Sequence, residues 1–455
     1  MQENKILFLS IAILAFLVLL PAAMADDDTL FVDLARSPLE QDTTVSHAKL
    51  ITINWNALNK GRNKEIRLNL FDGMELTAVR DRVKRPAAGG YIWVGHVPAI
   101  DGSTVTLSIV DRVLVGSIAF DGYEQYTIRH DGPGQILRKI DPAARIEVEM
   151  DDMVFVPSAP YKTPDKISNC EDGTQIDLLI AYTKAARVKT GGTTAIKALV
   201  NLRVADMNRA NSNSRLDHRY SLAHIMETDY GETGNANIDL PRLKQVNDGH
   251  LDDVAAARDD YKADLSLLVI SEAEAGTPCG TAYVMNELST NFASYAYSVA
   301  ALDYAGSSLT CSSLTIAHEL GHNMGNLHDR ESNNSPPLFP YSFGYQSSSQ
   351  SFRTIMAYNC PNGCPRINHW SNPEILFGGE ATGISYQGRD SMPADNARSM
   401  KQTSRYVANF RENCAADPAP TPTSTPPPGG LPTATPPSSS SNFGHKSFTP
   451  ALFGK

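Results

Sequence analysis

The first 169 residues contain no cysteine; all six cysteines of the chain lie between Cys170 and Cys414. Any device that needs a thiol in the N-terminal third is excluded. The six also form no CxxC pair, which argues against a cysteine-ligated zinc site. There is no excess of positive charge. With 40 basic against 50 acidic residues the net charge is −10, so no basic face is available to neutralise phosphates and nucleic acid is not an expected partner. Beyond the N-terminus no apolar run is long enough to span a bilayer. No calcium loop is recognisable, so structural calcium has no support in the sequence. Hydrophobic residues are not scarce: at 42% they suffice for real cores and exclude wholesale disorder. A chain of 455 residues predicts two or three units.

Lys5 precedes an apolar run over residues 6–20, and Ala23-Met24-Ala25 follows. A charged start, a greasy core of about fifteen residues and a small-x-small site predict a signal peptide over 1–25, too short to cross a membrane comfortably. The mature chain is then expected outside the cell, away from membranes. An even cysteine count in an exported chain reads as three disulfides. The favoured pairing is Cys170–Cys414, Cys279–Cys311 and Cys360–Cys364.

Residues 26–165 read as all-β. Short alternating runs at 50–53, 65–68, 91–94, 104–107, 112–115 and 126–128 are separated by turn pairs such as Asp72-Gly73, Gly89-Gly90 and Asp101-Gly102. That spacing predicts a sandwich or barrel of hairpins. Residues 156–166, with Pro157, Pro160 and Pro164, read as a linker. From there the pattern changes to alternating strands and helices, which predicts an α/β unit over 166–414. Strands are expected at 176–181, 220–226, 265–270, 279–285 and 295–302, and helices at 194–210, 251–262 and 395–410. Residues 415–455 are rich in Pro, Thr and Ser and read as a disordered linker and tail.

One segment dominates the chemistry: Thr315-Ile316-Ala317-His318-Glu319-Leu320-Gly321-His322-Asn323-Met324-Gly325-Asn326-Leu327-His328-Asp329. His318 and His322 stand one helical turn apart, so both imidazoles share a face and can hold one metal. Ser312 or Ser313 could cap that helix. Gly325 can end it in the left-handed conformation and swing His328 back as a third ligand. Three neutral imidazoles with an open fourth position make a catalytic zinc site, whereas a structural site is closed by four protein ligands. Glu319 falls at the edge of the ligand face, in reach of a water on the metal without ligating. Its expected work is to take the water's proton during attack and pass it to the leaving amine. A chance HExxH in a chain with this histidine content has a probability of order 1%, and the added glycine and third histidine lower it to of order 1 in 10⁴. His369 is a weaker candidate, since it lies past the motif.

HExxHxxGxxH followed by Thr354-Ile355-Met356-Ala357-Tyr358 resembles the metzincin zinc endopeptidases and their methionine turn. The similarity covers roughly residues 175–411 and implies a twisted mixed sheet with an active-site helix. Asp329 resembles the reprolysin branch, where it would support the site without ligating zinc. The opening Ile176-Asp177-Leu178-Leu179-Ile180-Ala181-Tyr182-Thr183 and the stretch Cys279-Gly280-Thr281-Ala282-Tyr283 are similar to bacterial reprolysin-like enzymes, among them the peptidyl-Asp metallopeptidases. Tyr358 departs from the reprolysin pattern, which has proline there, and resembles astacins and serralysins, where the tyrosine can stabilise an oxyanion; the alternative is a packing tyrosine. By the same resemblance residues 280–283 would form the edge strand above the cleft. The segment through Cys360, Cys364, Arg366 and Ile367 would wall the pocket for the residue after the cut. Arg366 either attracts an acidic side chain there or stands in solvent, the commoner state of an arginine.

The resemblance makes 26–165 a propeptide, cleaved within 156–169, and the partners protein substrates and the chain's own N-terminal unit, with the enzyme a monomer. Without a cysteine in that unit, latency must come from occlusion or from an oxygen or nitrogen ligand. A silent binding module on the same scaffold would be expected to lose Glu319 or a histidine ligand, and all four are intact. A non-peptide zinc hydrolase is disfavoured by the expected edge strand and propeptide-like unit.

Overall fold

The computed structural model describes residues 29–34, 44–58, 62–120, 123–131, 134–141, 150, 152–156, 170–305, 311–333, 335–388 and 392–412. The expected signal peptide, most of the expected linker and the C-terminal tail lie outside the described residues. Two sheets organise what is described.

The first sheet has nine strands: β1 (Phe31–Asp33), β2 (Val45–Ile53), β3 (Glu65–Asn69), β4 (Glu75–Lys84), β5 (Tyr91–His96), β6 (Thr104–Val110), β7 (Val113–Phe120), β8 (Tyr123–Asp131) and β9 (Gly134–Ile140), with a one-turn helix α1 (Trp55–Leu58) after β2. The order is β1-β2-β9-β8-β7-β6-β5-β4-β3. Thr29 bridges Arg67 in β3, so the chain just ahead of β1 reaches the opposite edge and the sheet curls on itself. Ile66, Leu68, Trp93, Leu107, Leu114, Ile118 and Leu137 fill its interior. All six expected strands are present. β4 escapes the sequence because Arg80, Asp81, Arg82 and Lys84 blur its alternation, and its register shifts between Arg80 and Arg82. An extra residue at such a bulge flips which side chains face the core.

The second sheet has six strands in the order β10-β14-β15-β13-β11-β12. β10 (Met153–Phe155) comes from ahead of the expected linker. β11 (Gln175–Thr183), β12 (Arg219–Thr228), β13 (Leu265–Ala273) and β15 (Tyr297–Tyr304) are mutually parallel, and β14 (Gly280–Val284) runs antiparallel to β15. The mixed sheet agrees with expectation. Leu265, Leu267, Leu268, Val269 and Ile270 are all buried, as a central parallel strand covered on both faces requires.

Seven helices of the described residues include α2 (Lys184–Lys189), α3 (Thr193–Asn213), α4 (Ala236–Lys244), α5 (Asp252–Asp260), α6 (Thr315–Asn323) and α7 (Asn396–Val407). α2 and α4 were not foreseen. α2 is six residues long, capped by Thr183 Oγ1 accepting from Ala186 N. α4 carries Pro241 in its interior, a residue that reads as a helix breaker. A short hairpin, β16 (Leu376–Phe377) with β17 (Glu380–Ala381), follows the metal site.

The first sheet rests on α3. Val110 and Val115 pack on Ala198 and Leu202, and Ile92 and Val94 on Ala205. Arg209 Nη2 donates to Thr106 Oγ1 at 3.1 Å and Asn201 Nδ2 to Gly89 O at 3.2 Å. Disulfides join Cys279 to Cys311 and Cys360 to Cys364 as expected. Cys414, the expected partner of Cys170, lies outside the described residues.

Candidate metal centre

α6 is buried along its whole length. The expected serine cap takes a different form. Leu314 is the residue at the helix start, and Ser312 serves the turn ahead of it, its Oγ accepting from Leu314 N and its carbonyl from Thr315 N. Asn323 Nδ2 donates to Tyr283 O at 2.8 Å and Tyr297 O at 3.1 Å, locking the helix to β14 and β15. Gly325 then takes φ +84°, which glycine adopts without strain. A Cβ there would meet Leu338 at 2.7 Å. That turn returns His328 to the face carrying His318 and His322.

The three imidazoles converge through Nε2. His318 Nε2 lies 3.1 Å from His328 Nε2 and 3.2 Å from His322 Nε2. Tetrahedral zinc bonded to nitrogens at about 2.0–2.1 Å sets ligand atoms about 3.3 Å apart. His318 Nδ1 lies 2.8 Å from Ile355 O and His322 Nδ1 2.8 Å from Asn326 O. A carbonyl accepts only, so each Nδ1 carries the proton and each Nε2 presents a bare lone pair.

A fourth donor faces them. Asp152 places Oδ1 2.7 Å from His328 Nε2 and 3.4 Å from His322 Nε2, and Oδ2 3.2 Å from His318 Nε2. Asp152 is 8% exposed. Burial lowers His318 to about 3 and lowers His322 as well. Burial alone would raise the Asp152 carboxyl, but the facing His328 and His318 rings hold it well below the usual carboxylate range. Metal ligation requires neutral imidazoles and an ionised carboxylate, and a cation among the four groups would hold Asp152 ionised in place of ring protons. A carboxylate against bare imidazole lone pairs is repulsive unless a cation lies among them, so the donor set fits zinc.

Glu319 is 1% exposed, and its Oε2 has no hydrogen-bond partner among the described residues. Burial pushes its carboxyl well up, the charge of Asp152 adds to the rise, and the Arg366 guanidinium opposes it. Gly280 makes room for it: a Cβ there would sit 2.3 Å from Glu319 Oε1.

Met356 forms the expected turn beneath the helix, fully buried, with Ala357 N donating to Thr354 O. A Cβ on Gly321 would meet its Sδ at 2.6 Å. Tyr358 lies beside His328, ring centroids 4.1 Å apart, and its hydroxyl donates to Met150 O. Asp329 Oδ2 accepts from Tyr358 N at 2.9 Å, so it orients the tyrosine's backbone. Arg366 is half-buried, Nη2 reaching Ala357 O at 3.4 Å. With Leu314, Arg353, Asn368 and His369 it lines a cavity of about 630 Å³ that Ser117 and Tyr123 of the first sheet cover. His369 stays out of the imidazole cluster; its ring lies against Phe377. The sequence reading missed Asp152. Its signal, an acidic pair just ahead of the apolar triplet Met153-Val154-Phe155 and the proline-rich stretch, is too common to single out.

The family model of metallo-peptidase family M12, Reprolysin_5, matches residues 172–371. A peptidyl-Asp metalloendopeptidase of Xanthomonas campestris pv. campestris is 31% identical over 385 residues, 81% of this chain and 87% of that protein. One of Stenotrophomonas maltophilia (strain R551-3) is 31% identical over 361 residues, 74% of this chain and 81% of that protein. One of Pseudomonas fragi is 27% identical over 191 residues, 42% of this chain and 90% of that protein. Since the first relative is 31% identical with 81% of this chain and 87% of that protein covered, the chain belongs to the reprolysin-like M12 metallopeptidases and is a zinc metalloendopeptidase.

Proposed function

We propose that this chain is an exported zymogen whose processed form cuts proteins next to aspartate, with His318, His322 and His328 holding zinc and Glu319 as general base and acid. The observation that carries it is the convergence of three Nε2 atoms, bare in His318 and His322, beside the buried Glu319, whose Oε2 has no hydrogen-bond partner among the described residues. Zinc, when bound, polarises the scissile carbonyl and acidifies water at its open position. Glu319 takes the attacking water's proton and delivers it to the leaving amine. Tyr358, oriented through Asp329, donates its hydroxyl to the developing oxyanion once Met150 no longer accepts from it. The apolar N-terminus supports export, and the first sheet with the strand β10 supports the propeptide reading, with cleavage within 156–169.

The aspartate preference rests on the relatives' being peptidyl-Asp metalloendopeptidases and on the place of Arg366. A half-buried guanidinium in the wall, close enough to Glu319 to oppose the rise of its carboxyl, supplies a partner for an acidic side chain.

Processed wild type and Glu319→Ala should each bind one zinc. The wild type should digest casein until a chelator is added, and the variant should lose at least about 10²-fold in kcat. A zinc-loaded, processed wild type that cuts no peptide would end this reading. On peptides differing only in Asp or Asn beside the cut, Arg366→Gln should lower the kcat/KM ratio about 10²-fold, the cost of leaving one charge of a desolvated pair alone. An unchanged ratio would remove Arg366 from recognition.

A further inference from the structure

We propose that Met150 and residues 152–156 are a built-in inhibitor of the metal centre, Asp152 closing the zinc site as its fourth ligand while β10 fills the cleft as an added strand. The inference rests on the zinc-endopeptidase reading and deepens it by naming how the site is held shut.

Four observations carry it. First, Asp152 is the carboxylate that joins the three histidines in one buried group of potential ligands. Its Oδ1 has no hydrogen-bond partner among the described residues although it lies 2.7 Å from His328 Nε2. Its oxygens also face the bare Nε2 atoms of His318 at 3.2 Å and His322 at 3.4 Å, an arrangement accounted for by a shared cation. A zinc site with four protein ligands is closed and has no position for an attacking water.

Second, β10 pairs parallel with β14, Met153 opposite Ala282, Val154 opposite Tyr283 and Phe155 opposite Val284. β14 would be the sheet edge without it, and an unpaired edge is where an extended peptide binds by adding a strand. The inhibitor therefore uses the backbone groups that a substrate needs.

Third, the strand is placed so that it is not cut. Asp152 O accepts from Ala282 N at 2.9 Å. The carbonyl is spent on the sheet, and the contacts Asp152 makes with the histidines are through its side-chain oxygens. Hydrolysis needs a peptide carbonyl at the metal, and this segment presents a carboxylate instead.

Fourth, the segment holds the catalytic tyrosine candidate as well. Met150 O accepts the Tyr358 hydroxyl, and Val156 O accepts from Asn286 Nδ2 at 2.8 Å. Met153 and Phe155 pack on Val284, Leu327, Phe343 and Ala394. The metallo-peptidase match begins at residue 172, so a cut within 156–169 separates inhibitor from enzyme. What was an intramolecular ligand at high effective concentration becomes a dissociable one.

The test uses the uncut full-length chain carrying Glu319→Ala, which prevents self-digestion, with Co²⁺ as the metal. Visible absorption reports the coordination, and acetohydroxamate, a bidentate zinc ligand, reports an open position. With Asp152 intact, hydroxamate should leave the spectrum unchanged up to high concentration. With Asp152→Ala it should bind at least about 10²-fold more tightly and shift the spectrum, because the competent fraction is no longer suppressed. Asp152→Asn keeps the shape of the side chain and weakens only its ligation, so it should fall between the two. Equal hydroxamate affinity in all three overturns the proposal. Failure of the underlying reading looks different: no chain takes up Co²⁺, or the separately processed wild type takes up zinc and cuts nothing.

Discussion

A methyl group at position 280 would end 2.3 Å from Glu319 Oε1 and 2.6 Å from its Cδ, so the glycine is a condition for where that carboxylate stands. Gly280→Ala should leave the fold in place, since β14 keeps its backbone pairing, yet displace Glu319. A shift of about 1 Å in a proton-transfer group costs of order 10²-fold. The processed variant should lose that much kcat with nearly unchanged KM and zinc content; a wild-type kcat would show that Glu319 tolerates the move. The histidines are readable from sequence because i and i+4 spacing and a glycine turn are local rules. Asp152 is not, because its meeting with them depends on strand pairing across more than 100 residues of chain.

α6 is held from below by the methionine turn. A Cβ on Gly321 would fall 2.6 Å from Met356 Sδ and 3.0 Å from the Trp370 ring, both buried. Alanine gains about 1 kcal/mol over glycine in a helix interior, while overpacking a filled core costs about 1–3 kcal/mol. The clash should win. Gly321→Ala is expected to lower stability by about 1 kcal/mol and weaken zinc binding by tilting His322, both read from thermal melts with and without zinc. A melting temperature that rises would mean that Met356 moves aside freely. At this scale the sequence reading recovered the elements whose periodicity is clean, such as α3 and β13. It passed over α4, whose Pro241 falls where tertiary packing of Leu240 and Leu243 overrides the breaker, and β4, whose charged run is tolerated on a partly solvated face.

Across the molecule, acid should loosen the fold through buried neutral imidazoles. His218 is 3% exposed, stacks edge-on against Tyr220, and burial lowers it from 6.5 to about 4. Above pH 6.5 the ring is neutral folded or unfolded, and the full stability is present. As pH falls from there toward 4 the unfolded chain takes a proton that the folded one refuses, so stability is lost through that window. The loss from this one residue reaches about 3 kcal/mol at most. On the uncut Glu319→Ala chain, His218→Gln should flatten the fall in unfolding free energy between pH 6.5 and 4, with the rest left to groups such as His369. An identical slope in both proteins would place the acid sensitivity elsewhere.

The local sequence determined the facing of His318 and His322, the glycine that turns His328 back and the methionine turn. Each follows from short-range spacing, which backbone geometry converts directly into a shared face or a tight turn. Only the tertiary structure decided what faces the three histidines from the other side. Chain far from the motif contributes β10, its carboxylate and its hold on Tyr358, because an open sheet edge accepts any strand that can pair. Which strand it accepts is chosen by register and by the packing of Met153 and Phe155, and neither leaves a mark in the sequence near His318.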